Sequence, residues 1–229
     1  IMDVSEKYDT GGQAIYMWSF PLYIESESEI PDDEPLPPAG TVDNVTISNV
    51  TAKANGGVFV TGFREPDGYI KGLTLDNVKI HMFGGKDKSE LNEHPPDPYP
   101  IYGFHGAPYA MYFRYVENLV LRNIKFSWNT PERADWGSAL RCVCVEALEI
   151  DGFSGRQAKS SEAPAIRLKH VRSAFIRGCR APADTGTFLD IGEGAEDVSL
   201  MGNDLSRARQ AYVVAEGTTP RIFEAGNRL

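Results

Sequence analysis

Arginine and lysine recur at matching slots of successive strand-like segments, at Arg114, Arg141, Arg167 and Lys169. If those segments stack, equivalent positions lie about 4.8 Å apart and the cations form a row. Guanidinium groups grip carboxylates bidentately, so such a row suits an acidic polymer. The plainer reading, which comes first, is a solvent face ion-paired to nearby Asp and Glu. Aromatic rings gather in two places: Tyr16, Trp18, Phe20 and Tyr23, then Tyr99, Tyr102, Phe104, Tyr109 and Tyr112. Rings at the bases of loops either cover a core or offer flat faces to the C–H faces of sugars. Trp18 and Tyr23 are the preferred substrate-binding candidates among them. His105, between Phe104 and Gly106, is placed as a loop histidine at the rim of a cleft.

Other chemistries find less support. Cys142, Cys144 and Cys179 are an odd number, which precludes a complete disulfide framework, and they read as small core fillers. Cys142 and Cys144, two apart on one strand, are expected on the same face. His81, His94 and His170 show no ligand spacing, and Asp184 and Asp190 do not make the carboxylate cluster of a calcium site. No metal and no cofactor is expected. Asn44 and Asn49 open glycosylation sequons, although a corner position explains Asn49 without a glycan. A formal net charge of −9 argues against nucleic acid as a general partner. No stretch approaches the roughly 20 apolar residues that span a bilayer, so no membrane partner is expected.

The elements that position these side chains come from a repeated phrase. Its copies begin at residues 42, 70, 116, 145, 171, 195 and 219, in steps of 28, 46, 29, 26, 24 and 24. Each carries an apolar residue at its fourth position, and all but the last at the sixth: Val45/Ile47, Leu73/Leu75, Leu119/Leu121, Leu148/Ile150, Ala174/Ile176, Val198/Leu200 and Ile222/Glu224. That is the period of a strand with one buried face. Each copy closes on Asn49, Asn77, Asn123, Gly152, Gly178, Gly202 or Gly226, the residue types that tolerate a left-handed backbone. An upstream strand precedes each copy, over 14–20, 56–63, 110–116, 138–145, 163–171, 187–192 and 210–216. No helical period appears.

This pattern predicts an all-β fold, a right-handed parallel β-helix of about seven to eight coils, as a single domain over residues 1–229. The long step is explained by an insertion over 82–110, and an acidic, proline-rich insertion is expected over 24–40. Ile1-Met2-Asp3-Val4 matches the tail of the phrase, with Asp3 in the Asn/Gly column. The chain is therefore expected to open within a coil, with preceding coils supplied by the same protein or by a second chain packed on the Ile1 end.

Between about residues 40 and 155 the order of parts is distinctive. A Gly-x-x-Glu turn (Gly62, Glu65) leads into an Asn-closed strand, then a Gly-Gly loop and a Tyr-Pro/Phe-Gly loop. A Pro-x-x-x-Tyr-x-Arg strand (Pro108, Tyr112, Arg114) and an Asp-containing turn (Asp135) follow. In this order the chain resembles glycoside hydrolase family 28, the polygalacturonase-like enzymes. The resemblance implies hydrolysis with inversion, in which one carboxylic acid protonates the leaving oxygen and other carboxylates activate water. It also implies substrate-binding roles for Glu65 and Arg114 and a secreted or periplasmic location. The family's Asp motifs are not found here, and the catalytic acids are expected in upstream coils, their identity unknown. Phe104-His105-Gly106 resembles the family's Gly-His-Gly motif but sits in a loop, and Arg167-Leu168-Lys169 resembles its Arg-x-Lys motif but comes several coils late. The cation row also runs away from those upstream coils. The expected activity is hydrolysis of a pectin-type or other uronate- or rhamnose-containing polysaccharide, acidic or neutral. The alternatives are a non-catalytic carbohydrate-binding or adhesin-like β-helix, or a β-helical polysaccharide lyase.

Overall fold

The computed structural model describes residues 2–4, 22–25, 42–54, 57–62, 68–83, 109–129, 136–159 and 161–229. Among these residues the chain is all β, with no helix, and every pairing between its strands is parallel. The strands are β1 (Met2–Val4), β2 (Leu22–Glu25), β3 (Asp43–Ser48), β4 (Thr51–Ala54), β5 (Val58–Thr61), β6 (Ile70–Asp76) and β7 (Lys79–Met82). They continue as β8 (Met111–Arg122), β9 (Lys125–Trp128), β10 (Leu140–Asp151), β11 (Ile166–Arg177), β12 (Thr185–Ile191), β13 (Val198–Met201), β14 (Ala208–Val214) and β15 (Ile222–Ala225).

The repeated phrase stacks on itself in the register its alternation requires. Val45 pairs with Leu73, then Leu119, Leu148, Ala174, Val198 and Ile222 follow in line. Ile47, Leu75, Leu121, Ile150, Ile176, Leu200 and Glu224 form the second line. From Leu73 to Leu200 these side chains are buried in one continuous core. A slip of one residue would turn both lines outward, so the apolar alternation enforces the register. Full burial of each aliphatic side chain stabilises by about 1.5–3 kcal/mol.

Left-handed residues make the bends. All seven closing residues, Asn49, Asn77, Asn123, Gly152, Gly178, Gly202 and Gly226, have positive φ. Two further bends sit inside the long strands, at Tyr115 and Asn118, Cys144 and Ala147, His170 and Ser173. These residues drop out of the ladder, which runs from Arg114–Val143 directly to Val116–Val145. An L-residue other than Asn or Gly in this conformation costs about 1–2 kcal/mol, so the neighbouring ladder must hold it there. The Asn corners help themselves: Asn77 Nδ2 donates to Asn49 Oδ1 at 2.8 Å. Just past the corner, buried Asn203 satisfies backbone groups inside the stack. It accepts from Cys179 N at 2.9 Å and donates to the Ile176 carbonyl at 3.1 Å.

Several expectations are corrected. A third strand follows each Asn corner in the first repeats: β4, β7 and β9 form a separate parallel sheet with β1. Asp3 lies in that sheet opposite Lys53, not in the Asn/Gly column, because Met-Asp-Val matches the alternation of Ala52-Lys53-Ala54 as well as it matches the phrase. The upstream strand that pairs with β5 is β2, so Ile24 and Glu25 belong to a strand rather than to the 24–40 insertion. Residues 14–20 lie outside the described residues. Within the 82–110 insertion, Met82 ends β7, while Tyr109 and Ala110 are buried ahead of β8.

Gly202 isolates the cost of a left-handed corner, since its φ is +61° and no atom lies within 4 Å of an added Cβ. Gly202→Val is expected to destabilise by about 1–2 kcal/mol in urea unfolding. Gly202→Asn, matching the corners at 49, 77 and 123, should cost less than half of that.

Candidate functional site

The outer faces of the upstream strands form a ladder of aromatic and cationic side chains. Its first column runs from Phe59 through Tyr112, Arg141, Arg167 and Asp190 to Val213. The second runs from Thr61 through Arg114 and Val143 to Lys169. The expected single row of cations is thus two columns, because Arg141 and Arg167 are two residues out of register with Arg114 and Lys169. Successive rungs stand about 4.8 Å apart, and this spacing brings the rings into contact. Phe59 stacks on Tyr112 with centroids 5.2 Å apart and planes within 5°, and Tyr112 stacks on Tyr109 at 5.9 Å.

The two guanidiniums sit against this stack. Arg114 Nε donates to Thr61 Oγ1 at 3.0 Å, and its guanidinium carbon lies 5.3 Å from the centre of the Tyr115 ring. Arg141 lies over the Tyr109 ring at 4.9 Å and donates through Nη1 to the Tyr109 hydroxyl. Although they point away from the apolar core, Tyr112, Arg114 and Arg141 are only 3%, 4% and 5% exposed. Among the described residues Arg141 forms no ion pair, and its buried Nε has no hydrogen-bond partner there, as is also true of Trp136 Nε1 and Ser138 Oγ just before it in the chain. A buried cation without an acid is costly. Burial pushes the Tyr112 hydroxyl up to about 12, with the charges of Arg114 and Arg141 pulling partly against it.

Further along the ladder the face opens and the charges pair. Arg167 Nε meets Asp190 Oδ2 at 3.1 Å, and Lys169 Nζ meets Glu193 Oε2 at 3.0 Å. The Lys169 hydrogen bond and charge hold the Glu193 carboxyl below the usual range. The ion-paired reading of the cations describes Arg167 and Lys169, and Arg114 and Arg141 lie buried beside aromatic rings.

Of the substrate-binding candidates, Arg114 is in this cluster. Tyr23 occupies the rung beside Phe59 by its backbone register, and Trp18, Glu65 and His105 lie outside the described residues. Phe59 went unnoticed because it sits in an apolar run, Val-Phe-Val, that reads as core. Aligning the upstream strands with one another, rather than the phrases, would have placed it beside Tyr112. Cys142 and Cys179 are core residues, with thiols pushed up by burial, that of Cys179 to about 12. Cys144 does not share the face of Cys142: it takes the left-handed conformation, leaves the ladder and is half-buried. Among the described residues no three His, Cys, Asp or Glu side chains come together. No protein-family model, curated protein or solved structure matches the chain.

Tyr112 gives the cluster a pH signature. Its hydroxyl rises from 10.0 to about 12 on folding, so the unfolded chain releases this proton first as pH increases. The associated stability is complete below pH 10 and is lost between pH 10 and 12, about 3 kcal/mol in all. In urea unfolding across that window, Tyr112→Phe is expected to lose less stability than the parent by about that amount. Parallel losses in the two proteins would show that the hydroxyl is not held in the protonated state.

Proposed function

We propose that the chain is a right-handed parallel β-helix of about seven to eight coils belonging to a glycoside hydrolase of the polygalacturonase type. Its substrate is a pectin-type or other uronate- or rhamnose-containing polysaccharide, and the outer face of the upstream strands contributes the floor of the glycan-binding surface. The supports are the parallel register at a repeat of 24–29 residues in the uninterrupted steps, the positive φ at every closing residue, and the order of motifs between residues 40 and 155.

The observation that carries the functional reading is Arg141. A guanidinium that is 5% exposed and, among the described residues, has no ion pair and one donor nitrogen unpartnered is a poor choice for stability alone, since an apolar side chain of similar volume packs there at no desolvation cost. It is a good choice beneath a site for carboxylates, because burial lowers the local dielectric and strengthens its field. Phe59, Tyr112 and Tyr109 are themselves buried and stacked, and with them the guanidinium is held in place beneath that site. The proposal assigns no catalytic carboxylate to the described residues.

The test is binding and cleavage of polygalacturonate against a neutral galactan, with Arg141→Met as the variant. Binding should favour polygalacturonate and fall about tenfold in the variant, the loss of one charge-assisted contact. Stability should stay within about 1 kcal/mol, because a buried charge is exchanged for an apolar chain. Reducing ends should appear with inverted configuration at the anomeric carbon. Cleavage would exclude the non-catalytic carbohydrate-binding reading, and absence of binding to any uronate- or rhamnose-containing polymer would overturn the proposal.

A further inference from the structure

The sheet of β1, β4, β7 and β9 carries a second charged surface, separate from the ladder above. Thr51, Lys79 and Lys125 stand in one column, and isolated bridges continue it through Ser154, Arg180, Asp204 and Arg228. Lys53 sits in the adjoining column, between Asp3 and His81 in the backbone register, with Ser127 beyond. Lys53, Lys79 and Lys125 line a shallow groove of about 310 Å³ whose other polar walls are Thr51, His81, Ser127 and Ser154, with no carboxylate among its lining residues. A further recess of about 320 Å³, between Arg180, Arg207 and Arg228, has Asp204 as its only acid.

Three comparisons within the molecule make this stripe unusual. The protein as a whole is acidic, at −9, yet this face is basic. On the outer side of the phrase strands, cations are matched by acids: Arg177 meets Glu149 and Asp151 at 3.0 and 2.9 Å, and Arg172 reaches Glu146 and Glu196. On the stripe, Lys53, Lys79 and Lys125 are exposed and form no ion pair among the described residues. Lys79 and Lys125 moreover stand directly opposite each other, a like-charge pairing that weakens a sheet.

We infer that this stripe is a docking track for an extended acidic polysaccharide, a polymer bearing carboxylates at regular intervals, held apart from the aromatic ladder. Cations on consecutive rungs about 4.8 Å apart match a polymer lying along the stack, not a compact ligand. Charge complementarity names a polyanion, and the rest of the surface narrows the class. Single-stranded nucleic acid is held by exposed rings that stack on bases, and here Phe126 is buried beneath the lysines while Trp128 faces Trp136. A nucleic-acid duplex, with one negative charge per about 1.7 Å of axis, meets the repulsion of a protein charged −9 more strongly than a polymer with one carboxylate per sugar. The track shares its ligand chemistry with the proposed activity but does not depend on it.

The test is retardation of the protein in gels cast with long-chain polygalacturonate, with neutral galactan as the control. The variants are Lys53→Gln/Lys79→Gln/Lys125→Gln and, separately, Arg141→Met. The triple variant should bind polygalacturonate about tenfold more weakly, the sum of three exposed ion pairs, with an unchanged or higher thermal midpoint. The triple substitution made in the Arg141→Met background should weaken retardation about tenfold below Arg141→Met alone, which separates this track from the ladder whether or not the ladder binds glycan. Parental retardation in the triple variant, or a thermal midpoint that falls with the binding, would overturn the inference. So would unchanged retardation when the triple substitution is added to Arg141→Met, or tighter binding of a DNA duplex than of polygalacturonate at the same salt.

Discussion

Hydrogen bonding between successive repeats, always parallel and always in the same register, determines what each side chain can do. A strand in this arrangement presents its residues to the strands before and after it at one fixed spacing. Residues far apart in sequence therefore act as columns: Val45 through Ile222 on the core side, Phe59 through Asp190 outside. The register is enforced by the apolar columns, and the bends between faces by left-handed residues. Neither device suffices alone, because the non-glycine bends at Tyr115, Cys144 and His170 are unfavourable conformations that only the paired strands on either side keep in place.

The same geometry explains why the charges behave so differently from face to face. Where columns alternate acid and base, as with Glu146, Arg172 and Glu196, exposed pairs form and contribute little each. On the ladder, aromatic rings stack with their neighbours and enclose Arg114 and Arg141, so the cations there work in a low dielectric. On the third sheet, lysines are stacked beside lysines and remain in water. Three faces built from one repeat thus carry three electrostatic characters, set only by which residue types recur at a slot.

Much of this was legible in the sequence where one residue type dominates a column. The phrase alternation and the Asn/Gly closing residues are local signals, and both the registers and the left-handed corners follow them. The third strand was not legible, because Thr51–Ala54 and Lys79–Met82 are only four residues long and carry too few alternations to stand out from a turn. Asp3 was misplaced for the same reason: three residues match two different slots. Burial of Arg114 and Arg141 was not legible either. The outward position of a strand residue follows from its parity, but whether that face is covered depends on packing with other segments. Cys144 shows the limit of parity itself, since a left-handed residue resets the alternation that placed it beside Cys142.

The claim on which these readings rest is that equivalent residues of successive repeats lie one strand spacing apart. Asp43, Lys71, Glu117, Glu146 and Arg172 occupy one column, and Glu196 follows Arg172 on the next repeat. Spin labels at Asp43 and Glu196, in a Cys144→Ser background that removes the half-buried thiol, measure five spacings directly by pulsed electron–electron resonance. The stack requires a single narrow distance of about 24 Å. A broad distribution, or a separation of roughly twice that, would contradict it.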